Sequence, residues 1–102
     1  MTLPVARITD KLSDTDTIVT GSGDVFVNNL PVSTITSLTA GHTLPGHNFY
    51  PPTVIVTGSG SVFVNNLPIS RVNDATAPHS DPPHSDQHSA VITTGSGNVF
   101  AG

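Results

Sequence analysis

The sequence predicts an all-β domain in which three similar units share one core, and three observations lead there. The phrase Thr20-Gly21-Ser22-Gly23-Asp24-Val25-Phe26 returns as Thr57-Gly58-Ser59-Gly60-Ser61-Val62-Phe63 and as Thr94-Gly95-Ser96-Gly97-Asn98-Val99-Phe100, with Gly21, Gly58 and Gly95 each 37 residues apart. No stretch carries the 3.6-residue periodicity of an amphipathic helix, and prolines interrupt every longer window in which one might start. The nine prolines and nine glycines fall at recurring positions between short β-branched runs, which marks turns between strands, not a disordered tract. Repeats of this length are supersecondary units that cannot bury an apolar side alone, and about three are needed for a stable stack or ring.

The first two copies continue in register as Val27-Asn28-Asn29-Leu30-Pro31-Val32-Ser33 and Val64-Asn65-Asn66-Leu67-Pro68-Ile69-Ser70, and the N-terminal Leu3-Pro4-Val5-Ala6-Arg7-Ile8-Thr9-Asp10 matches Leu67-Pro68-Ile69-Ser70-Arg71-Val72-Asn73-Asp74. Residues 1–102 are therefore expected to form a single domain whose units begin at about residues 3, 30 and 67, the chain opening in mid-repeat. Residues 3–10 form a short strand, with Pro4 near its start where a missing N–H is tolerated. Residues 11–17 are a polar connector about ten residues shorter than its counterparts at 37–53 and 74–90, so the first unit lacks whatever those two loops build. Ile18 to Thr20 is expected to pair with Val25-Phe26-Val27 across Gly21-Ser22-Gly23, because paired glycines allow the positive φ of a tight turn. Asn28-Asn29 makes the next turn, since asparagine tolerates the left-handed region. Alternation along Val25-Phe26-Val27 and Val62-Phe63-Val64 sends phenylalanine to one face and valine to the other. Phe26, Phe63 and Phe100 are then expected to meet in the core around a pseudo-three-fold axis.

Composition narrows the function classes. A chain of 102 residues lies near the size where a hydrophobic core alone gives only a few kcal/mol, so a further brace is expected, and the absence of cysteine rules out disulfides. The net charge is −4, with Arg7, Lys11 and Arg71 as the only cationic residues besides histidine; nothing here follows a phosphate backbone, and nucleic acid is not the expected partner. No apolar stretch approaches the roughly 18 residues of a membrane span, and Pro4, Arg7 and Asp10 leave no signal-peptide core.

The brace is sought among the histidines. All five, His42, His47, His79, His84 and His88, fall in the two long loops and outside the expected strands. His42 and His79 are 37 apart, as are His47 and His84, so the repeat carries both loops to one end of the molecule. Neutral imidazoles suit zinc, copper, iron and nickel, and zinc is expected because it takes four nitrogen donors tetrahedrally and needs no redox environment. A catalytic zinc with three ligands, an open position and Asp81 or Asp86 as base is the enzymatic alternative, a small zinc-dependent hydrolase or toxin. Solvated loop histidines that never meet are the plain one. Gly-Ser-Gly occurs once per unit, as a turn element does, and is not a nucleophile elbow.

Over nearly the whole chain the sequence resembles the PAAR-repeat family, the tip proteins of contractile phage tails and type VI secretion spikes. Its Pro-Ala-Ala-Arg step stands here as Pro4-Val5-Ala6-Arg7 and Pro68-Ile69-Ser70-Arg71, and in more altered form as Pro31-Val32-Ser33-Thr34; the Gly-Asp that usually follows is here Thr9-Asp10 and Asn73-Asp74. The resemblance implies a cone-like tip of three β repeats with loops and one structural zinc at the apex, no enzymatic activity, and a monomer that caps a trimeric β-helical spike, one tip per trimer, sharpening it for penetration of a target cell envelope. It implies delivery outside the producing cell as part of a virion baseplate or secretion spike. On the family's loop pattern, Gly46-His47 followed by Pro51-Pro52, Ala77-Pro78-His79 and His88 supply ligands. The family often adds a cysteine, which this chain lacks; the fourth ligand is then His42 or His84, with His42 preferred because it ties the two loops evenly. The expected set is His42, His47, His79 and His88.

Overall fold

The structure, a computed structural model, describes residues 2–43, 46, 48–80 and 87–102. Among them there is no helix. Ten two-residue strands make five antiparallel pairs: β1 (Leu3–Pro4) with β10 (Phe100–Ala101), β2 (Phe26–Val27) with β3 (Leu30–Pro31), β4 (His42–Thr43) with β5 (Phe49–Tyr50), β6 (Phe63–Val64) with β7 (Leu67–Pro68), and β8 (His79–Ser80) with β9 (Gln87–His88). Asn28 and Asn29 turn the β2–β3 hairpin at φ 55° and 66°, and Asn65 and Asn66 turn β6–β7 at 51° and 68°, as their tolerance of the left-handed region predicts. Phe26 faces Pro31, Phe63 faces Pro68, and Phe100 faces Pro4. The two ends of the chain thus assemble in the same register as the two continuous hairpins.

Outside the short strands, many backbone groups bond between units. Ala6 N–H donates to Ser70 O at 2.9 Å, Ser70 N–H to Ser33 O at 3.0 Å, and Ser33 N–H to Ala6 O at 3.0 Å, so the three equivalent residues bond in a closed circuit. The carbonyls of the strand prolines do likewise: Ile8 N–H donates to Pro31 O, Ile35 N–H to Pro68 O, and Val72 N–H to Pro4 O. The bridges Ile18 with Thr39, Ile55 with Thr76 and Ile92 with Leu12 repeat the pattern further along the chain. Buried N–H and C=O groups need partners, and here each unit finds them on the next, with the third returning to the first.

Three sequence expectations are corrected. Ile18 to Thr20 does not pair with Val25-Phe26-Val27; Ile18 bridges Thr39, and Val19 N–H donates to Leu38 O at 2.9 Å. Gly21-Ser22-Gly23 is not a reversing turn of positive φ. Ser22 Oγ accepts the N–H groups of Asp24 and Val25, and Ser59 and Ser96 do the same for their own followers. The first glycine is needed for close approach: a Cβ on Gly21, Gly58 or Gly95 would lie 2.8–2.9 Å from the carbonyl of Val32, Ile69 or Val5. Nor do the phenylalanines meet in the core. Phe26, Phe63 and Phe100 are 55%, 55% and 51% exposed. The alternation holds only in part: Val64 and Ala101 are buried, with Val25 and Val27 packed against their cluster, while Val62 and Val99 are exposed like the phenylalanines.

The core is layered in chain order. One cluster joins Val5, Val32, Val64, Ile69 and Ala101, and a second joins Ala6, Leu12, Ile18, Ile55, Ala90 and Ile92. Each unit leaves the first cluster, passes or contributes to the second, reaches its long loop or connector, and returns through the second to the first. Along the chain the two long loops are thus flanked by residues of these clusters, in a molecule of 38 × 24 × 21 Å.

Candidate metal centre

Four side chains from three units converge where the chain turns back. The connector of the first unit is a tight turn: Lys11 bridges Thr17, Leu12 N–H donates to Asp16 O at 3.0 Å, and Thr15 takes φ 74°. Left-handed backbone is costly for a β-branched residue, and here it stands between two aspartates. Asp16 N–H donates to Asp14 Oδ1 at 3.2 Å, while Asp14 Oδ2 faces the imidazoles. In the second unit His42 lies on β4 opposite Tyr50, and in the third His79 on β8 and His88 on β9 share one rung. Three histidines expected outside the strands are thus carried on two small hairpins.

The donor atoms define a tetrahedron by all six of its edges. The Nε2 atoms of His42 and His79 are 3.2 Å apart, those of His42 and His88 3.2 Å, and those of His79 and His88 3.0 Å. Asp14 Oδ2 lies 3.1 Å from His42 Nε2, 3.6 Å from His79 Nε2 and 2.9 Å from His88 Nε2. Nitrogen and oxygen donors about 2.0–2.1 Å from a zinc ion stand roughly 3.3–3.4 Å apart in a regular tetrahedron, and the observed edges bracket that value.

One ring of the cluster has its tautomer fixed from outside. His79 Nδ1 lies 2.7 Å from Pro51 O, and a carbonyl only accepts, so Nδ1 carries the ring proton and the Nε2 of the neutral ring presents a lone pair. That lone pair faces two more imidazole nitrogens and a carboxylate oxygen. Three neutral rings with a carboxylate suit a divalent cation at their centre. Asp14, His42, His79 and His88 can hold a metal ion. The surroundings restrict the rings: His42 and His79 are buried, and Tyr50 stacks on His42 with centroids 4.9 Å apart and planes 11° from parallel. Burial pushes the His42 pKa below its ordinary value, against the pull of the Asp14 and Asp16 carboxylates, while His79 and His88 push it further down.

Of the expected ligands, His42, His79 and His88 come together; His47 lies outside the described residues, as do the alternative His84 and the candidate bases Asp81 and Asp86. The short first connector does not lack what the long loops build, because it supplies Asp14. The signal for it was present in the sequence: His42 and His79 each stand 12 residues after Leu30 and Leu67, and Asp14 stands 11 after Leu3. A search confined to histidines passes over it. No known protein-family model matches the chain, and no curated protein matches it.

Proposed function

We propose that this protein is a structural, non-enzymatic spike tip of the PAAR-repeat kind, a cone of three pseudo-three-fold-related β repeats with a structural zinc at its apex, which caps a trimeric β-helical spike and sharpens it for envelope penetration. The observation that carries the reading is the closed circuit of backbone hydrogen bonds through Ala6, Ser33 and Ser70. A single chain closed in this way offers one partner surface three times, and a homotrimer offers its own end three times, so one monomer serves all three partner chains.

The exposed Phe26, Phe63 and Phe100 occupy equivalent places in three strand pairs, and large aromatic side chains are the usual anchors of an interface. Val62 and Val99 are exposed beside them, whereas Val25 packs on the valine cluster. Docking there would leave the metal end free to lead. Four protein donors also fill a tetrahedral shell, which is the pattern of a structural zinc, while a catalytic zinc keeps a position open.

The test is the mass of the complex between this protein and its spike trimer. One tip per trimer, weakened when Phe26, Phe63 and Phe100 are replaced by serine, is the expected result. Three tips per trimer, or a contact mapped to His42, His79 and His88, contradicts it.

A further inference from the structure

Two polar atoms beside the metal centre are buried without any partner: Asp16 Oδ2 and His42 Nδ1. They are complementary. If His42 offers the Nε2 lone pair to a metal, its proton must sit on Nδ1, which becomes a buried donor in need of an acceptor. Asp16 is 2% exposed and His42 7%, so bulk water serves neither. The other oxygen of Asp16 is engaged, accepting Thr17 N–H at 2.8 Å, and this anchors the carboxylate with Oδ2 spare. Buried polar atoms in folded proteins are nearly always paired, and a buried orphan costs about 1–3 kcal/mol.

We propose that Asp16 is a positioning residue for the metal centre, its Oδ2 accepting the Nδ1–H of His42 when His42 takes up the metal. The inference rests on the metal reading of the Asp14, His42, His79 and His88 cluster and deepens it. His79 shows the same device with a different acceptor, since its Nδ1 already donates to Pro51 O. A carboxylate acceptor fixes the tautomer and the ring plane and raises the basicity of the ligating nitrogen. The carboxylate of Asp16 already acts on the His42 ring electrostatically, in the sense that favours its positive charge. The strained Asp14-Thr15-Asp16 turn then has a double role: one aspartate is a ligand and the next orients a ligand from another unit.

The experiment uses the full chain with zinc as the probe, in the wild type, D16A and D16N. Affinity is measured by competition with a chromophoric chelator, and the His42 Nδ1–H is followed by nitrogen-15 NMR with and without zinc. The expected result is about 10–100-fold weaker zinc binding in D16A, a smaller loss in D16N, whose amide oxygen can still accept, and a His42 Nδ1–H signal that is displaced in D16N and exchanges faster in D16A. Unchanged affinity in D16A, or an unmoved His42 signal in either variant, overturns the proposal. Should D16A not fold, the D16N signal decides in the same way. A wild type that binds no zinc removes the metal reading and overturns the positioning role with it.

Discussion

At Ala6, Ser33 and Ser70 the three units bond in a circuit, and the residue type follows from that. Ala6, Ser33 and Ser70 are fully buried, and the two serine hydroxyls bond to each other. Ala6 shows that a methyl group suffices at the equivalent place. S33A should therefore cost about 1–3 kcal/mol, because it strands the Ser70 hydroxyl in the core. S33A/S70A should cost less than S33A alone, and additive losses in denaturant titration would contradict the pairing. His42 gives a second expectation at this scale. Its pKa is lowered in the folded protein, chiefly by burial, so unfolding takes up a proton once the pH is below the ordinary histidine value. The stability it contributes is complete above about pH 6.5 and is lost as the pH falls through the lowered folded value. Metal uptake, which needs neutral imidazoles, has the same sign. Unfolding midpoints measured with a chelator present should fall between about pH 7.5 and 5.5, and fall less in H42Q; a midpoint that rises toward acid contradicts this.

The hairpins and the Gly-Ser-Gly turns show which elements could be read from sequence. The asparagine turns could, because left-handed backbone has a residue signature; Asn28, Asn29, Asn65 and Asn66 all have positive φ. The role of the glycines could not, since a glycine required by positive φ and one required by a neighbouring carbonyl look alike in a sequence. Alternation separated Phe26 from Val25 and Val27, and Phe63 from Val64, but not from the exposed Val62, and period alone does not say which face is inward. The buried face takes Val64 and Ala101, in one cluster with Val5, Val32 and Ile69. The carbonyl contact predicts a contrast within one turn. A Cβ at position 58 would lie 2.9 Å from Ile69 O, while at position 60 nothing lies within 4 Å. G58A should cost about 1–3 kcal/mol through overpacking, and G60A should stay within about 0.5 kcal/mol. Equal effects in thermal or denaturant unfolding would remove the close approach as the reason for the first glycine.

Over the whole molecule, the 37-residue period made the meeting of the two histidine loops readable in advance, whereas the one shared core it predicts is two clusters, each joining all three units. It did not reveal Asp14, which sits one step out of register in the shortest connector and carries a different donor. The three units are joined by backbone bonds near the valine cluster and by the four donors, so a metal at those donors would tie the first, second and third units together. Structural zinc sites contribute apparent binding free energies of about 10–16 kcal/mol at neutral pH, against about 5–15 kcal/mol for the total stability of an ordinary domain. Native mass spectrometry of the purified protein, before and after a strong chelator and alongside D14A and H79A, measures this most directly. The account predicts one divalent ion per chain, lost with chelator together with a large fall in melting temperature, and bound weakly or not at all in both variants; a metal-free wild type, or a melting temperature indifferent to chelator, would contradict it.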